Sequence, residues 1–290
     1  MNLNKQTFVV AVSGGVDSVV LLHKLVAKKS ADITYIVAHY DHGMRPESPE
    51  DAEFVRLIAK KMQLGFELGH GELGPGASEA LAREKRYEFL RSINEKYDAD
   101  KIITAHHQND IIETMVINML RGTGPRGLMP MLKPSDILRP LLNTTKQQLI
   151  NYAVEHDLKW REDSSNNDET YLRNYVRKNI APIMADNTDH LLGIRRRMGD
   201  IYYEADQLVK LAVPPGNILH RSDFLRYPYS VQREIVRAWL LQLGIDELDK
   251  SIIERVALAI KTMQAGKKLD IGNTHWLSSS KQNVQIIKKD

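Results

Sequence analysis

The chain has 290 residues, 42% of them hydrophobic, with 40 basic and 37 acidic side chains for a net charge of +3. That length suits one large domain or a larger and a smaller one, and no apolar run is long enough to suggest a membrane-crossing helix. The chain holds no cysteine, which excludes disulfides, thiolate zinc sites, iron–sulfur clusters and a cysteine nucleophile within it.

The first seven residues are polar and lead straight into residues 8–12, a β-branched apolar run too short for a signal peptide. The expectation is a soluble, cytoplasmic protein. Ser13-Gly14-Gly15 follows at once, after which Val16, Val19, Val20, Leu22 and Leu25 recur at helical spacing. The order is strand, tight loop, helix. The unit repeats, with a strand over 34–38, a helix over 51–62, a long helix over 78–97, a strand over 101–104 and a helix over 109–120. Such alternation predicts a parallel sheet covered on both faces, with ligands beyond the carboxyl ends of its strands. Residues 137–142 suggest a further strand, and Thr144 or Thr145 the N-cap of a helix reaching about His156. Residues 171–180 and 191–212 read as helical, Pro214-Pro215-Gly216 as the domain boundary, 231–243 and 250–263 as helices, and 269–287 as a small β region.

The strongest motif is Ser13-Gly14-Gly15-Val16-Asp17-Ser18 between strand and helix. Glycines let a backbone approach an anion closely, and the free N–H groups of a helix start favour phosphate. Ser13 and Ser18 add hydroxyl donors, and Asp17 is placed to hold Mg²⁺ against phosphate oxygens. The loop lacks the lysine of an ordinary P-loop, and its glycine spacing fails the dinucleotide-binding pattern.

S-G-G-x-D-S after a first strand resembles the signature of the N-type ATP pyrophosphatases, whose loop grips the pyrophosphate released when a substrate oxygen attacks the α-phosphate of ATP. Absence of cysteine sets aside the sulfur-transferring members and those with a built-in cysteine glutaminase. Three further stretches resemble the tRNA(Ile)-lysidine synthetases of that family. They are Ala38-His39-Tyr40-Asp41-His42-Gly43-Met44-Arg45, then Thr104-Ala105-His106-His107 through Asp110, Glu113 and Arg121 to Leu128, and Arg139-Pro140-Leu141-Leu142 through Trp160, Asp163-Ser164-Ser165-Asn166 and Tyr171 to Arg173-Asn174 and Arg177. The resemblance covers roughly residues 8–185. Tyr40-Asp41 departs from it, standing where the family is richer in histidine. Members often carry a further C-terminal domain that this chain stops short of.

What the resemblance implies is a Rossmann-like parallel sheet with helices on both faces over residues 1–213, followed by a smaller, mainly helical domain over 217–290 with a tRNA-binding role. It also implies ligation of free L-lysine, at the expense of ATP and with Mg²⁺, to the wobble cytidine of tRNA(Ile) bearing CAU, through an adenylated tRNA. The expected assembly is a homodimer. Residues 13–18, with Asp17 as the metal ligand, hold the triphosphate, and His39 borders the adenosine or is a hydrogen-bonded structural histidine.

His106, Asp110 and Glu113 organise lysine and the metal, the alternative being that the two acids cap and charge-match a first helical turn. Arg83, Arg121, Arg126, Arg173, Asn174 and Arg177 face phosphate or tRNA. The alternatives are salt bridging along a helix for Arg83 and its neighbour Arg86, a solvated connector for 121–127, and an ion pair with Glu162 or Asp163 for Arg173 and Arg177. Trp160, Trp239 and His23 read as structural, and Arg195-Arg196-Arg197 as a solvated face. Two rivals remain, an ammonia-dependent amidating enzyme and a non-catalytic tRNA-binding protein.

Overall fold

A computed structural model describes residues 5–44, 48–74, 77–132, 136–162, 172–246, 248–272 and 274–289. The chain divides into two compact units, Met1–Met198 and Gly199–Asp290. Among the described residues no helix is long and apolar enough to cross a membrane.

In the first unit β1 (Gln6–Ala11), β2 (Ile33–Asp41), β3 (Gly65–His70), β4 (Lys101–Ile103) and β5 (Ile137–Leu138) form a five-stranded sheet in the order β3-β2-β1-β4-β5. Every neighbouring pair is parallel. The central stretches of β1, β2 and β4 are continuously apolar because side chains alternate between two covered faces. Val10, Val37 and Ile103 pack with residues of α1 (Val16–Ala27), α2 (Ser48–Lys61) and α5 (Lys146–Glu155). Their neighbours Val9, Ile36 and Ile102 pack with Tyr87, Leu90 and Ile93 of α3 (Glu79–Lys96). The chain leaves β1 toward β2 and β3, then returns to its other side as β4 and β5. The sheet's switch point therefore lies between β1 and β4, where a crevice opens beyond the strand ends. The loop of residues 12–15 follows β1 and α4 (Gln108–Leu120) follows β4, so both open onto that crevice.

Two helix starts are capped by side chains, the second at one of the two threonines the sequence offers. Ser78 Oγ accepts from Leu81 N at 3.2 Å ahead of α3. Thr145 and Gln148 form a reciprocal capping box ahead of α5.

β3 is the element the sequence hides, because Gly65 and Gly69 interrupt its pattern. The structure supplies the reason for both. A Cβ at Gly65 would stand 2.9 Å from Ile36 Cδ1, and one at Gly69 would stand 2.6 Å from Phe89 Cδ2 and 2.7 Å from Tyr40 Cδ2. Side chains of β2 and α3 already fill the space, so the edge strand admits none of its own.

Beyond α5, α6 (Leu172–Tyr175) runs into a π turn, Val176–Ile180, and α7 (Thr188–Ala212) follows. The division between the units falls inside α7, ahead of Pro214-Pro215-Gly216. The second unit combines α8 (Arg221–Leu225), α9 (Tyr229–Gln242) and α10 (Lys250–Thr262) with an antiparallel sheet of order β6-β9-β8-β7. Its strands are β6 (Ile218–His220), β7 (Lys268–Asp270), β8 (His275–Ser279) and β9 (Asn283–Lys288), of which β6 was not foreseen. Trp239, fully buried at the centre of this unit's core, donates its Nε1 proton to Gly216 O at 2.7 Å. Trp160 is half-buried against the core of the first unit, so both tryptophans are structural.

Replacing Gly69 with Ala forces Phe89 and Tyr40 aside and should cost about 1–3 kcal/mol, as overpacking does. Denaturant unfolding measures this, and an unchanged midpoint would show that the two rings yield freely.

Candidate active site

The loop after β1 is shaped by its own side chains. Val12 N continues the ladder to Ala38 O at 3.0 Å, after which Gly14 turns the chain with φ +91°, a conformation glycine adopts readily. Gly15 is different. No left-handed φ is imposed on it, and a Cβ there would touch only Ser13 Oγ at 3.6 Å, so nothing in the protein itself requires a glycine. Ser18 Oγ donates to Gly15 O at 2.9 Å and accepts from Gly14 N at 3.2 Å, while Ser13 Oγ accepts from Gly15 N at 3.4 Å. The serines thus brace the loop internally.

Asp17, in the first turn of α1, is the meeting point of three helix N-termini. Lys146, the first residue of α5, donates Nζ protons to both its oxygens at 2.7 and 2.8 Å. His107, the N-cap of α4, brings Nε2 to 3.6 Å from Asp17 Oδ2 and 3.6 Å from Asp110 Oδ2. The α4 and α5 starts are also joined directly, Lys146 N donating to Asn109 Oδ1 at 2.9 Å and Gln108 N to Thr144 O at 3.0 Å. Burial works to raise the Asp17 pKa, but contact with His107 and the charges of His107 and Lys146 outweigh it and hold the carboxyl below its usual range. Three positive dipole ends and a lysine therefore surround one carboxylate, a setting suited to a polyanion.

Beside this hub a cavity of about 610 Å³ opens, lined among others by Ser13, Asp17, His39, Arg86, His106 and Asp110. His39 is buried, and its Nδ1 donates to Val12 O at 2.8 Å, since a carbonyl can only accept. Burial lowers its pKa. His106 Nδ1 bonds Thr104 Oγ1 at 2.7 Å. Burial, opposed by Asp110 and reinforced by Arg83, Arg86 and Arg139, pushes the His106 pKa down to about 3. It is a neutral imidazole at physiological pH and a weak base there. Arg86 lies close to the Tyr87 ring, 5.4 Å from Cζ to centroid, and among the described residues makes no ion pair with a carboxylate.

Asp110 and Glu113, one turn apart on α4, serve different purposes. Asp110 Oδ2 accepts from His107 N at 2.8 Å, which is the helix-capping alternative, and Asp110 also borders the cavity. Glu113 is 2% exposed and is forked by Arg177, Nε to Oε1 at 2.7 Å and Nη2 to Oε2 at 3.0 Å. Arg173 adds Nε at 3.5 Å and reaches Glu79 Oε1 at 3.0 Å and Thr114 Oγ1 at 3.1 Å. Among the described residues these arginines pair with Glu113 and Glu79, and Asp163 lies outside them. A second cavity of about 550 Å³ lies against Glu113, bounded also by Gln108, Asn109, Arg177, Asp186 and Asp189.

The cavity lining also includes Asn174. Arg83 stands outside it with its Cζ 4.9 Å from the Tyr87 ring centroid. Arg121 and Arg126 follow the last turn of α4, 13 residues and about 20 Å from the helix start. Their loop is fastened by Asn118 Nδ2 to Gly127 O at 2.8 Å and Thr123 Oγ1 to Asn118 O at 3.0 Å, so it is less free than its glycines suggest. Arg45, Asp163-Ser164-Ser165-Asn166 and Tyr171 lie outside the described residues.

Two residues of the hub escaped the sequence reading. His107 is read only as ending a strand with His106 at the ligand-bearing edge of the sheet, and Lys146 carries no signal beyond its place after an N-cap. A third feature, Arg161, donates its backbone N–H to Gly14 O at 3.0 Å and pairs with Asp51 and Glu50 at 2.9 and 2.8 Å, latching the loop to α2.

A PP-loop domain family matches residues 1–184. Among curated relatives, a tRNA(Ile)-lysidine synthase of Exiguobacterium sibiricum is 36% identical over 64% of this chain and 45% of its own length. One of Bacillus subtilis is 33% identical over 72% and 47%, and one of Actinobacillus pleuropneumoniae 30% identical over 83% and 60%. The chain spans about half the length of the curated relatives it matches. Among solved structures, the U34-tRNA thiolase NcsA of Methanococcus maripaludis, with its [4Fe-4S] cluster, superposes with a TM-score of 0.56 at 16% identity, covering 68% of this chain and 72% of that one. This likeness is one of fold.

Glu113→Gln should destabilise the first unit by about 1–3 kcal/mol by removing the charge that Arg177 forks and Arg173 approaches, a figure discounted because Arg177 is 43% exposed. Urea unfolding decides it. For His106, the folded state gives up a proton that the unfolded chain binds below pH 6.5. The histidine thus withdraws stability as pH falls from about 6.5 toward 3. His106→Asn should flatten the decline in unfolding midpoint between pH 6.5 and 4.5, and equal slopes would mean that the folded imidazole is charged.

Proposed function

The chain belongs to the PP-loop family, and we propose that it uses ATP to activate the wobble cytidine of tRNA(Ile) bearing CAU and ligates free L-lysine there, forming lysidine. The observation that carries this reading is the convergence of three helix N-termini on Asp17, beside a glycine loop at the sheet's switch point. The names of the relatives supply the substrate class.

In this reading the loop N–H groups and the starts of α1, α4 and α5 receive the triphosphate. Gly15, which the protein's own packing leaves free to carry a side chain, is glycine because phosphate comes close to it. Asp17 is the one carboxylate of the loop. Among the described residues no group of three or more histidines and carboxylates is arranged to hold a metal. A single carboxylate beside a phosphate site would suit Mg²⁺, which is usually held by one or two carboxylates together with phosphate oxygens. Bound there, it would neutralise phosphate charge. Arg86, which among the described residues has no carboxylate partner, adds to the same field from α3.

The cytidine C2 oxygen attacks the α-phosphorus, the bond to the bridging oxygen breaks, and pyrophosphate departs into the loop. The lysine ε-amine, having lost a proton, then attacks C2, the C2–O bond breaks, and AMP leaves. Asp110, on the cavity wall, receives the ammonium and its proton. His106 is neutral and orients by hydrogen bonding. Glu113 serves by holding Arg173 and Arg177 in the wall. Arg121 and Arg126, beyond the far end of α4, and the second unit contact the RNA. The product turns a CAU anticodon from a methionine reader into one that reads AUA as isoleucine.

Purified protein incubated with ATP, Mg²⁺ and labelled lysine should label a tRNA(Ile) transcript bearing CAU and leave tRNA(Met) blank. Asp110→Asn should cut incorporation by roughly 10²-fold or more while the protein stays folded. Pyrophosphate release with a different acceptor would overturn the lysine assignment, and RNA binding without either product would favour a non-catalytic reader.

A further inference from the structure

Ordinary P-loops carry a lysine just after their glycines that reaches the terminal phosphates. Here that stretch reads Gly14-Gly15-Val16-Asp17-Ser18 and has none. The fold brings one to the same place from 129 residues away, where Lys146 Nζ stands 2.7 and 2.8 Å from the two oxygens of Asp17.

The two parts of this residue are held very differently. Its backbone is anchored on both sides, by the Thr145–Gln148 capping box and by the hydrogen bond from Lys146 N to Asn109 Oδ1 at 2.9 Å. Its side chain is 39% exposed, on a flexible four-carbon stem. An ammonium has three donors. Two are given to Asp17, and among the described residues the third has no acceptor. A partly exposed pair of this kind adds on the order of 0–1 kcal/mol to stability. Asp17 already has the α1 N-terminus and His107 to favour its charge. The pair therefore does little for the fold, while it keeps a mobile cation at the mouth of the loop.

We propose that Lys146 is the phosphate-binding lysine of this site, supplied by the start of α5, and that it contacts the pyrophosphate portion of the bound nucleotide and follows it as it leaves. The assignment rests on the nucleotide reading of the site given above. It explains why the loop itself dispenses with a lysine, and why the start of α5 is tied so firmly to the starts of α1 and α4.

The test is the binding of inorganic pyrophosphate and of AMP, each measured by calorimetry on the full chain in magnesium buffer without RNA or lysine. Lys146→Ala should weaken pyrophosphate by roughly 10-fold or more, the scale of a lost charge-assisted hydrogen bond. AMP affinity should stay within about 2-fold, and Lys146→Arg should recover most of the loss. The same comparison in an Asp17→Asn background separates direct from indirect action. If Lys146 touches phosphate, the alanine change still weakens pyrophosphate there. If the loss disappears, Lys146 acts only by placing Asp17, and the proposal is overturned. Unchanged pyrophosphate binding in Lys146→Ala would overturn it too, as would equal losses for both ligands with a lowered melting temperature. Wild-type protein that binds neither compound would overturn the nucleotide reading itself, and this assignment with it.

Discussion

Taking a carboxylate almost wholly out of water is costly unless opposite charge and hydrogen bonds match it. Glu113 meets that demand with a fork from Arg177 and a second contact from Arg173, which in turn reaches Glu79 and Thr114. Four segments are joined through it, since Glu113 and Thr114 belong to α4, Glu79 opens α3, and the arginines come from α6 and the π turn after it. One wall of the cavity exists because of this cluster. The apolar side of the same junction, Val176 against Ile111, Ile112 and Met115, closes behind it. Charge satisfaction and packing thus place Arg173, Asn174 and Arg177 along the cavity together.

The opposite side of the site depends on geometry inherited from the sheet. A parallel sheet whose chain reverses direction beside β1 must open a crevice there, and every helix that follows a strand begins at that edge. α1 and α4 therefore aim their N-termini at one region, and the Gln108–Thr144 and Lys146–Asn109 hydrogen bonds add α5 to them. Two histidines of the cavity add no charge to this field. His39 and His106 are both kept neutral by burial, each spending Nδ1 on a neighbour. Positive potential comes from helix ends, Lys146 and the arginines, with His107 beside Asp17.

Much of this was legible in the residues. The loop after β1, the alternation of strands and helices, the cap at Thr145, and the core roles of Trp239 and Trp160 rest on patterns spanning a few residues, which local sterics and hydrogen bonding decide. The absence of cysteine limited the chemistry before any fold was known. β3 was not legible, because the same two glycines that weaken a strand pattern are required by Ile36, Tyr40 and Phe89, side chains distant in sequence.

The tertiary structure alone decided which charges meet. Asp110 and Glu113 look alike in sequence, yet one caps a helix at the cavity edge and the other is consumed by arginines sixty-odd residues away. Arg121 and Arg126 share the cationic character of Arg173 and Arg177, yet the length of α4 carries them away from the site. Lys146 carried no motif and lies against the central aspartate. Periodicity and capping are properties of neighbours along the chain and so are written in it. Ion pairing depends on distances of a few ångströms between segments that only packing brings together.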